Sequence, residues 1–169
     1  MCRSDRMALW AYEQAVLSTC GFQHGAIISK GGKVIVKGCN INRTKYLNTK
    51  GMCLHAEIDV AMKLINCYIK KGKSKGKKIK GQKEIQYDLK KYIIWVVRAD
   101  KQKLRDKDVG FNYSAPCGEC IRTLLALGFK KIGFSNDDGT MTVQNIDSLD
   151  RSHLSFAQML FIKNLKHKS

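Results

Sequence analysis

Apolar positions recur with two different periods along the chain, and the switches between them mark out its elements. In residues 5–17, Met7, Leu9, Trp10, Ala15, Val16 and Leu17 fall at roughly helical spacing behind Ser4 or Asp5 as N-cap. Residues 22–29 read as a strand, Gly31-Gly32 supplies a tight turn, and residues 33–38 form the returning strand. Ala26, Ile27 and Ile28 against Val34, Ile35 and Val36 give this hairpin an apolar centre. Residues 53–68 carry Ile58, Val60, Ala61, Leu64 and Ile65 on the apolar face of a long helix, with His55 near its start. The run KYIIWVV at 91–97 is continuously apolar, as expected of a strand buried on both faces. A polar, irregular stretch at 98–113 leads to an amphipathic helix at 117–127, which Gly128 stops in a left-handed position. A strand at 131–135, a turn at Asp137-Asp138-Gly139 and a strand at 140–146 follow, and a terminal helix opens at Ser152 or Ser155 and runs to Leu165.

Helix, hairpin, helix, strand, helix, strand, strand, helix is the order of an α/β layered architecture: a five-stranded mixed sheet with helices on its faces. The turn at 137–139 is too short for a parallel crossover, so the last two strands are expected to be antiparallel. No internal repeat or proline-rich linker divides residues 1–169, which are read as one domain, long enough to bury a core.

Composition narrows the class. At 44% hydrophobic and 8% aromatic the chain lies outside the disordered range. No apolar run approaches the roughly 18–20 residues that a membrane span needs. Met1 to Arg6 is charged, without the apolar centre of a signal peptide, so an intracellular, cytoplasmic protein is expected. Seven cysteines, an odd number, fit reduced thiols better than a disulfide framework.

The formal charge of +17 is unevenly placed. Residues 70–83 (KKGKSKGKKIKGQK) lie in a lysine-rich insertion at about 69–90, with Ile79 as the one clearly apolar residue of the run. Lysines without interleaved aromatics or arginines read first as a solvated loop, and second as a track for nucleic-acid phosphates. Charge alone does not choose between them.

The chemistry concentrates in His55-Ala56-Glu57 and Pro116-Cys117-Gly118-Glu119-Cys120. Two thiolates and an imidazole suit Zn2+, and three protein ligands leave a fourth position for water. A CxxC that opens a helix sets both sulfurs near unpaired backbone N–H groups, which favour thiolate. Pro116, the single proline, has the fixed φ suited to a helix start. Glu57 is close enough to His55 to exchange protons with a water there without ligating. A closed structural zinc site would need a fourth ligand, and His24, His153 and His167 do not stand at finger-like spacing.

The HxE and PCxxC pair is a zinc deaminase signature, and the chain resembles the cytidine deaminase-like zinc superfamily from about residue 22 to 146. Phe22-Gln23-His24-Gly25-Ala26 resembles the first strand of its free-nucleoside branch. Gly38-Cys39-Asn40-Ile41-Asn42 is similar to that branch's GCNxEN, and Ser114 to Arg122 to its SPCGxCRQ. Two positions and one spacing depart from the pattern. His55 stands where that branch commonly has Cys, Asn42 replaces the ribose-holding Glu, and 62 positions separate His55 from Cys117, more than the family spacing.

The resemblance implies a three-layer α/β/α fold and a hydrolase of pyrimidine nucleotide metabolism. An activated water would attack C4 of cytosine while Glu57 protonates N3 and then the departing amine. It also implies that the Ala56 N–H binds the base carbonyl and the Ser114 carbonyl receives the amino group. Asn40 would contact the sugar or base, Phe22 would pack near the ring, and the chain would assemble as a homodimer or homotetramer. The substrate expected is a cytosine nucleoside or nucleotide. A deaminase of cytosine or adenine in single-stranded RNA or DNA, and a non-catalytic zinc-stabilised nucleic-acid-binding module, are the alternatives. A purely structural zinc site has no use for Glu57, which counts against the last.

Overall fold

The computed structural model describes residues 1–42, 45–46, 49–50, 54–74, 81–105 and 109–154. Helix α1 (Arg3–Ala15) begins earlier than its apolar pattern, with Cys2 rather than Ser4 or Asp5 at the N-cap. Asp5 instead reaches back, its carboxylate accepting the Cys2 backbone N–H at 3.0 Å, which is half of a capping box. Strands β1 (His24–Lys30) and β2 (Lys33–Cys39) form the expected hairpin. Gly31 and Gly32 both have positive φ (56° and 85°), as a two-residue turn of this hand requires. The short pair β3 (Lys45–Tyr46) and β4 (Thr49–Lys50) precedes α2 (Ala56–Ser74). Then come α3 (Gln82–Leu89), β5 (Ile93–Ala99), α4 (Lys101–Arg105) and β6 (Phe111–Asn112). Helix α5 (Gly118–Leu127), β7 (Lys131–Ser135), β8 (Met141–Asn145) and a 3-10 turn (Ile146–Ser148) complete the order.

The sheet runs β2-β1-β5-β7-β8 and is mixed. Among the described residues only β5 and β7 pair in parallel, joined through α5, and β8 returns antiparallel to β7 as the three-residue turn demanded. The two-residue β6 pairs with the end of β5, Arg98 with Asn112 and Ala99 with Phe111, an addition to the five expected strands. Alternation along β5 divides the molecule into layers. Ile94 and Val96 join Ala26, Ile28, Ile132 and Phe134 in the core beneath α2 and α5. Trp95, Val97 and Ala99 face the other way with Ile27, against Met7, Ala8, Ala11 and Tyr12 of α1. The buried Trp95 indole donates to Ser29 Oγ at 2.8 Å, so its burial leaves no polar group unpaired.

Two stretches are more regular than their polarity suggested. The insertion expected at 69–90 as a loop begins as the last turn of α2 and ends as α3. Leu89 is fully buried and Ile85 partly so, and Gln86 Nε2 donates to the Ala126 carbonyl at 2.9 Å. An i, i+4 apolar pair suffices to anchor a short helix against a core. Within residues 98–113, Asp100 Oδ1 accepts the Gln102 N–H at 2.9 Å and starts α4. Residues 152–154 are not helical, and the rest of the expected terminal helix, like residues 75–80 of the lysine run, lies outside the described residues. Among the described residues no helix is long and apolar enough to cross a membrane.

Helix α1 lies on β1 so closely that a Cβ at Gly25 would overlap the Ala11 carbonyl and the Ala15 backbone nitrogen. Neither can yield without moving the helix. Gly25→Ala is therefore expected to destabilise the protein by about 3 kcal/mol or more, read as a lower urea midpoint at unchanged slope. An unchanged midpoint would contradict this packing.

Candidate metal centre

Pro116 leads into Cys117, whose extended backbone (φ −72°, ψ 163°) makes it the N-cap of α5. Cys120 follows one turn later, and the two thiols are buried, at 4% and 3% exposure. His55 immediately precedes α2 and is half-buried. The fold thus brings the starts of two helices together, and the ligand atoms of His55, Cys117 and Cys120 all lie within 4.8 Å of one another. His55 Nδ1 stands 3.2 Å from Cys120 Sγ and 3.5 Å from Cys117 Sγ. Tetrahedral zinc, with Zn–S about 2.3 Å and Zn–N about 2.0–2.1 Å, separates such atoms by about 3.5 Å. In softness and in spacing the donor set fits zinc.

The segment after β8 closes the ligand loop. The Gly118 N–H, at the start of α5, donates to the His153 carbonyl at 2.8 Å, and a Cβ on Gly118 would collide with the Arg151 carbonyl. The glycine between the two cysteines is thus a requirement of close approach. Below it, Ser114 Oγ donates to the Val96 carbonyl and accepts the Ser135 N–H, both at 2.9 Å. The loop is thereby tied to the middle of β5 and the end of β7.

The three ligands also perturb one another. A hydrogen bond from Cys120, opposed by burial and helped by His55, draws the Cys117 thiol down to about 4. The same bond to Cys117, with burial and the nearby Glu57 charge, pushes Cys120 well up. Burial pulls His55 down, but its bond to Cys117 and the Glu57 charge outweigh this and raise it to about 9. By themselves the three groups make a thiolate–imidazolium pair beside a neutral thiol. Metal ligation needs two thiolates and a neutral imidazole, so it must release protons.

Glu57, in the first turn of α2, is buried at 5% exposure, and burial pushes its carboxyl up against the opposing pull of His55. Ala56, fully buried, is the first residue of that helix, so its N–H has no acceptor within it. The other expected contact residues lie in a neighbouring corner. Asn40 is buried, and its carboxamide holds the loop before β1. Oδ1 accepts Ser18 Oγ at 2.6 Å and the His24 N–H at 2.9 Å, and Nδ2 donates to the Phe22 carbonyl at 2.7 Å. Phe22 itself is 51% exposed.

Two residues of this corner have no role in the sequence reading: His24, set aside there as a fourth ligand, and Arg98. They are partners across β1 and β5. Burial lowers His24 to about 4, and it senses the charges of both His55 and Cys117, which places it beside the centre. Carrying the strand alternation one position past Val97 would have found Arg98, where a charged residue in place of an apolar one looked like the strand's end.

A solved structure shares this arrangement of elements. The crystal structure of cytidine deaminase from Burkholderia pseudomallei superposes over 87% of this chain and 96% of its own, with a TM-score of 0.55 at 20% identity. The chain has the fold of a cytidine deaminase. Two structures of dCMP deaminase from the cyanophage S-TIM5 are also similar. The apo form covers 79% of this chain and 82% of its own (TM-score 0.48, 18% identity). The form with dCMP and dUMP covers 79% and 77% (TM-score 0.42, 16% identity). No family model and no curated protein matches the sequence. Within the deaminase fold, the His55, Cys117 and Cys120 cluster sits at the carboxyl end of the parallel pair β5 and β7, where open α/β sheets take their ligands.

One zinc per chain is expected on native purification, and Cys120→Ser should remove it, as measured by elemental analysis. Two protons leave near neutral pH, from Cys120 and His55. Zinc affinity should therefore fall about a hundredfold per unit as pH drops from 7 to 6. An affinity independent of pH in that window would contradict the ligand assignment.

Proposed function

We propose that the chain is a zinc-dependent hydrolytic deaminase that converts a cytosine nucleoside or nucleotide to its uracil form with release of ammonia. The observation that carries the reading is the buried Glu57 beside a His55, Cys117 and Cys120 cluster of zinc-like spacing. The shared deaminase fold supports it. His55, Cys117 and Cys120 would hold the zinc, which when bound supplies acidification of a water to near neutral pH.

The chain's own residues do the rest. Glu57 is the proton carrier. Its raised carboxyl takes up a proton readily, delivers one to N3 of the base, and returns one to the 4-amino group. The C4–N bond then breaks, a C4–O bond has formed, and the amine leaves as ammonia. The Ala56 N–H, without an acceptor in its helix, is placed to bind the base carbonyl. The Ser114 carbonyl is a candidate acceptor for the amino group, and the hydrogen bonds around Ser114 Oγ fix its plane. Asn40 acts on the site through the Phe22 and His24 backbone that it holds.

Glu57→Gln keeps the size of the side chain and removes its proton exchange. The variant should retain zinc and its circular dichroism while turnover of cytidine, deoxycytidine or their monophosphates drops about 10²–10⁴-fold. Near-normal turnover with zinc in place would end this reading of Glu57.

A further inference from the structure

The rim of the site carries a cation with no assigned task. Arg98 ends the alternation of β5 on the side of Ile94 and Val96, which is the side of α2, α5 and the metal ligands. His24 does the same on β1, in step with Ala26 and Ile28, and lies directly across from Arg98. Phe22 completes the corner, with Arg98 Cζ 5.8 Å from its ring centroid. Arg98 is only half-buried, yet no carboxylate forms an ion pair with it among the described residues. Its neighbour His24 is kept neutral by burial, which leaves Arg98 as the cation of this pair. Contact with an aromatic face engages the plane of a guanidinium and leaves its N–H fork unused.

We propose that Arg98 is the phosphate-recognising residue of this site, and that the substrate is a cytosine nucleoside 5′-monophosphate rather than the free nucleoside. The inference rests on the deaminase reading above and narrows its substrate class. A free nucleoside offers nothing that a lone guanidinium would select. A terminal phosphate offers oxygens that accept two parallel N–H bonds from the fork. Phe22, exposed beside it, is positioned to cover the sugar or base while the phosphate reaches the cation. The formal charge of +17 favours approach of any such anion, but Arg98 differs from the lysines in standing on the metal-bearing face of the sheet.

The test is calorimetric titration of the zinc-loaded full chain with reaction products, so that binding is read without turnover. Uridine and deoxyuridine are compared with their 5′-monophosphates, in the wild type and in Arg98→Gln and Arg98→Lys. Wild type is expected to bind a monophosphate about ten- to a hundredfold tighter than its nucleoside, the range of a charged hydrogen-bonded contact. In Arg98→Gln the ratio should fall to near one through weaker monophosphate binding, with Arg98→Lys in between. Equal wild-type affinity for nucleoside and monophosphate overturns the inference without any variant. A preference that survives Arg98→Gln overturns it too, as does tighter binding of a cytosine-containing single strand than of the monophosphate. If neither nucleoside nor monophosphate binds the zinc-loaded chain, the deaminase reading fails and takes this inference with it.

Discussion

His55 Nδ1 lies 3.2 Å from Cys120 Sγ and 3.5 Å from Cys117 Sγ, although 65 and 62 positions of chain separate these residues. Left to itself such a cluster is electrostatically awkward, because it draws one thiol down, another up, and an imidazole toward the charged form. Holding the three groups in register therefore needs a rigid frame. The frame is the parallel pair β5 and β7, with α2 and α5 packed on one face and starting at the same end. Much of the core around these elements is explained by that single demand. Ile58, Val60, Ala61 and Leu64 fix α2, and Ile121 and Leu124 fix α5, against Ile94, Val96 and Ile132.

The opposite face answers to a different constraint. Helix α1 meets β1 at a backbone-to-backbone distance that only Gly25 permits, and Met7, Ala8, Ala11 and Tyr12 bury Ile27, Trp95 and Val97. This layer carries no ligand, and its part is to keep β1 and β5 from shifting against each other. Their register sets His24 opposite Arg98, so packing on the far side of the sheet decides which side chains stand together at the mouth of the site.

The clustering of His55, Cys117 and Cys120 beside Glu57 was legible in the sequence because ligand chemistry restricts residue type and spacing, as HxE with PCxxC does. The sheet was legible because the runs at 22–29, 91–97 and 131–135 are apolar enough to be strands in almost any context, and because a three-residue turn allows only an antiparallel return. Composition misled where long-range contacts overrule it. Gln82–Leu89 looks solvated until Leu89 is seen in the core and Gln86 bonded to the Ala126 carbonyl. Cys2 became an N-cap because the Asp5 side chain folds back, a preference that its own residue type does not advertise. Asn40 stands in a motif that suggests substrate contact, and its hydrogen bonds to Ser18, Phe22 and His24 could not be read beside it, because they depend on a loop conformation that no spacing encodes.

The contact between Gly118 and the segment after β8 has a consequence for how the protein is made. All three residues of the His55, Cys117 and Cys120 cluster have been synthesised by residue 120, but the carbonyls that pack on the loop between the two cysteines belong to Arg151 and His153. A ribosome must therefore add β7, β8 and the 3-10 turn before the start of α5 acquires its final neighbour. Chain growth from the N-terminus lets the hairpin, α2 and β5 assemble early. The cysteine loop is sealed late, so a nascent or prematurely released chain that ends before residue 151 carries the whole cluster and still lacks the backbone that holds both cysteines in place.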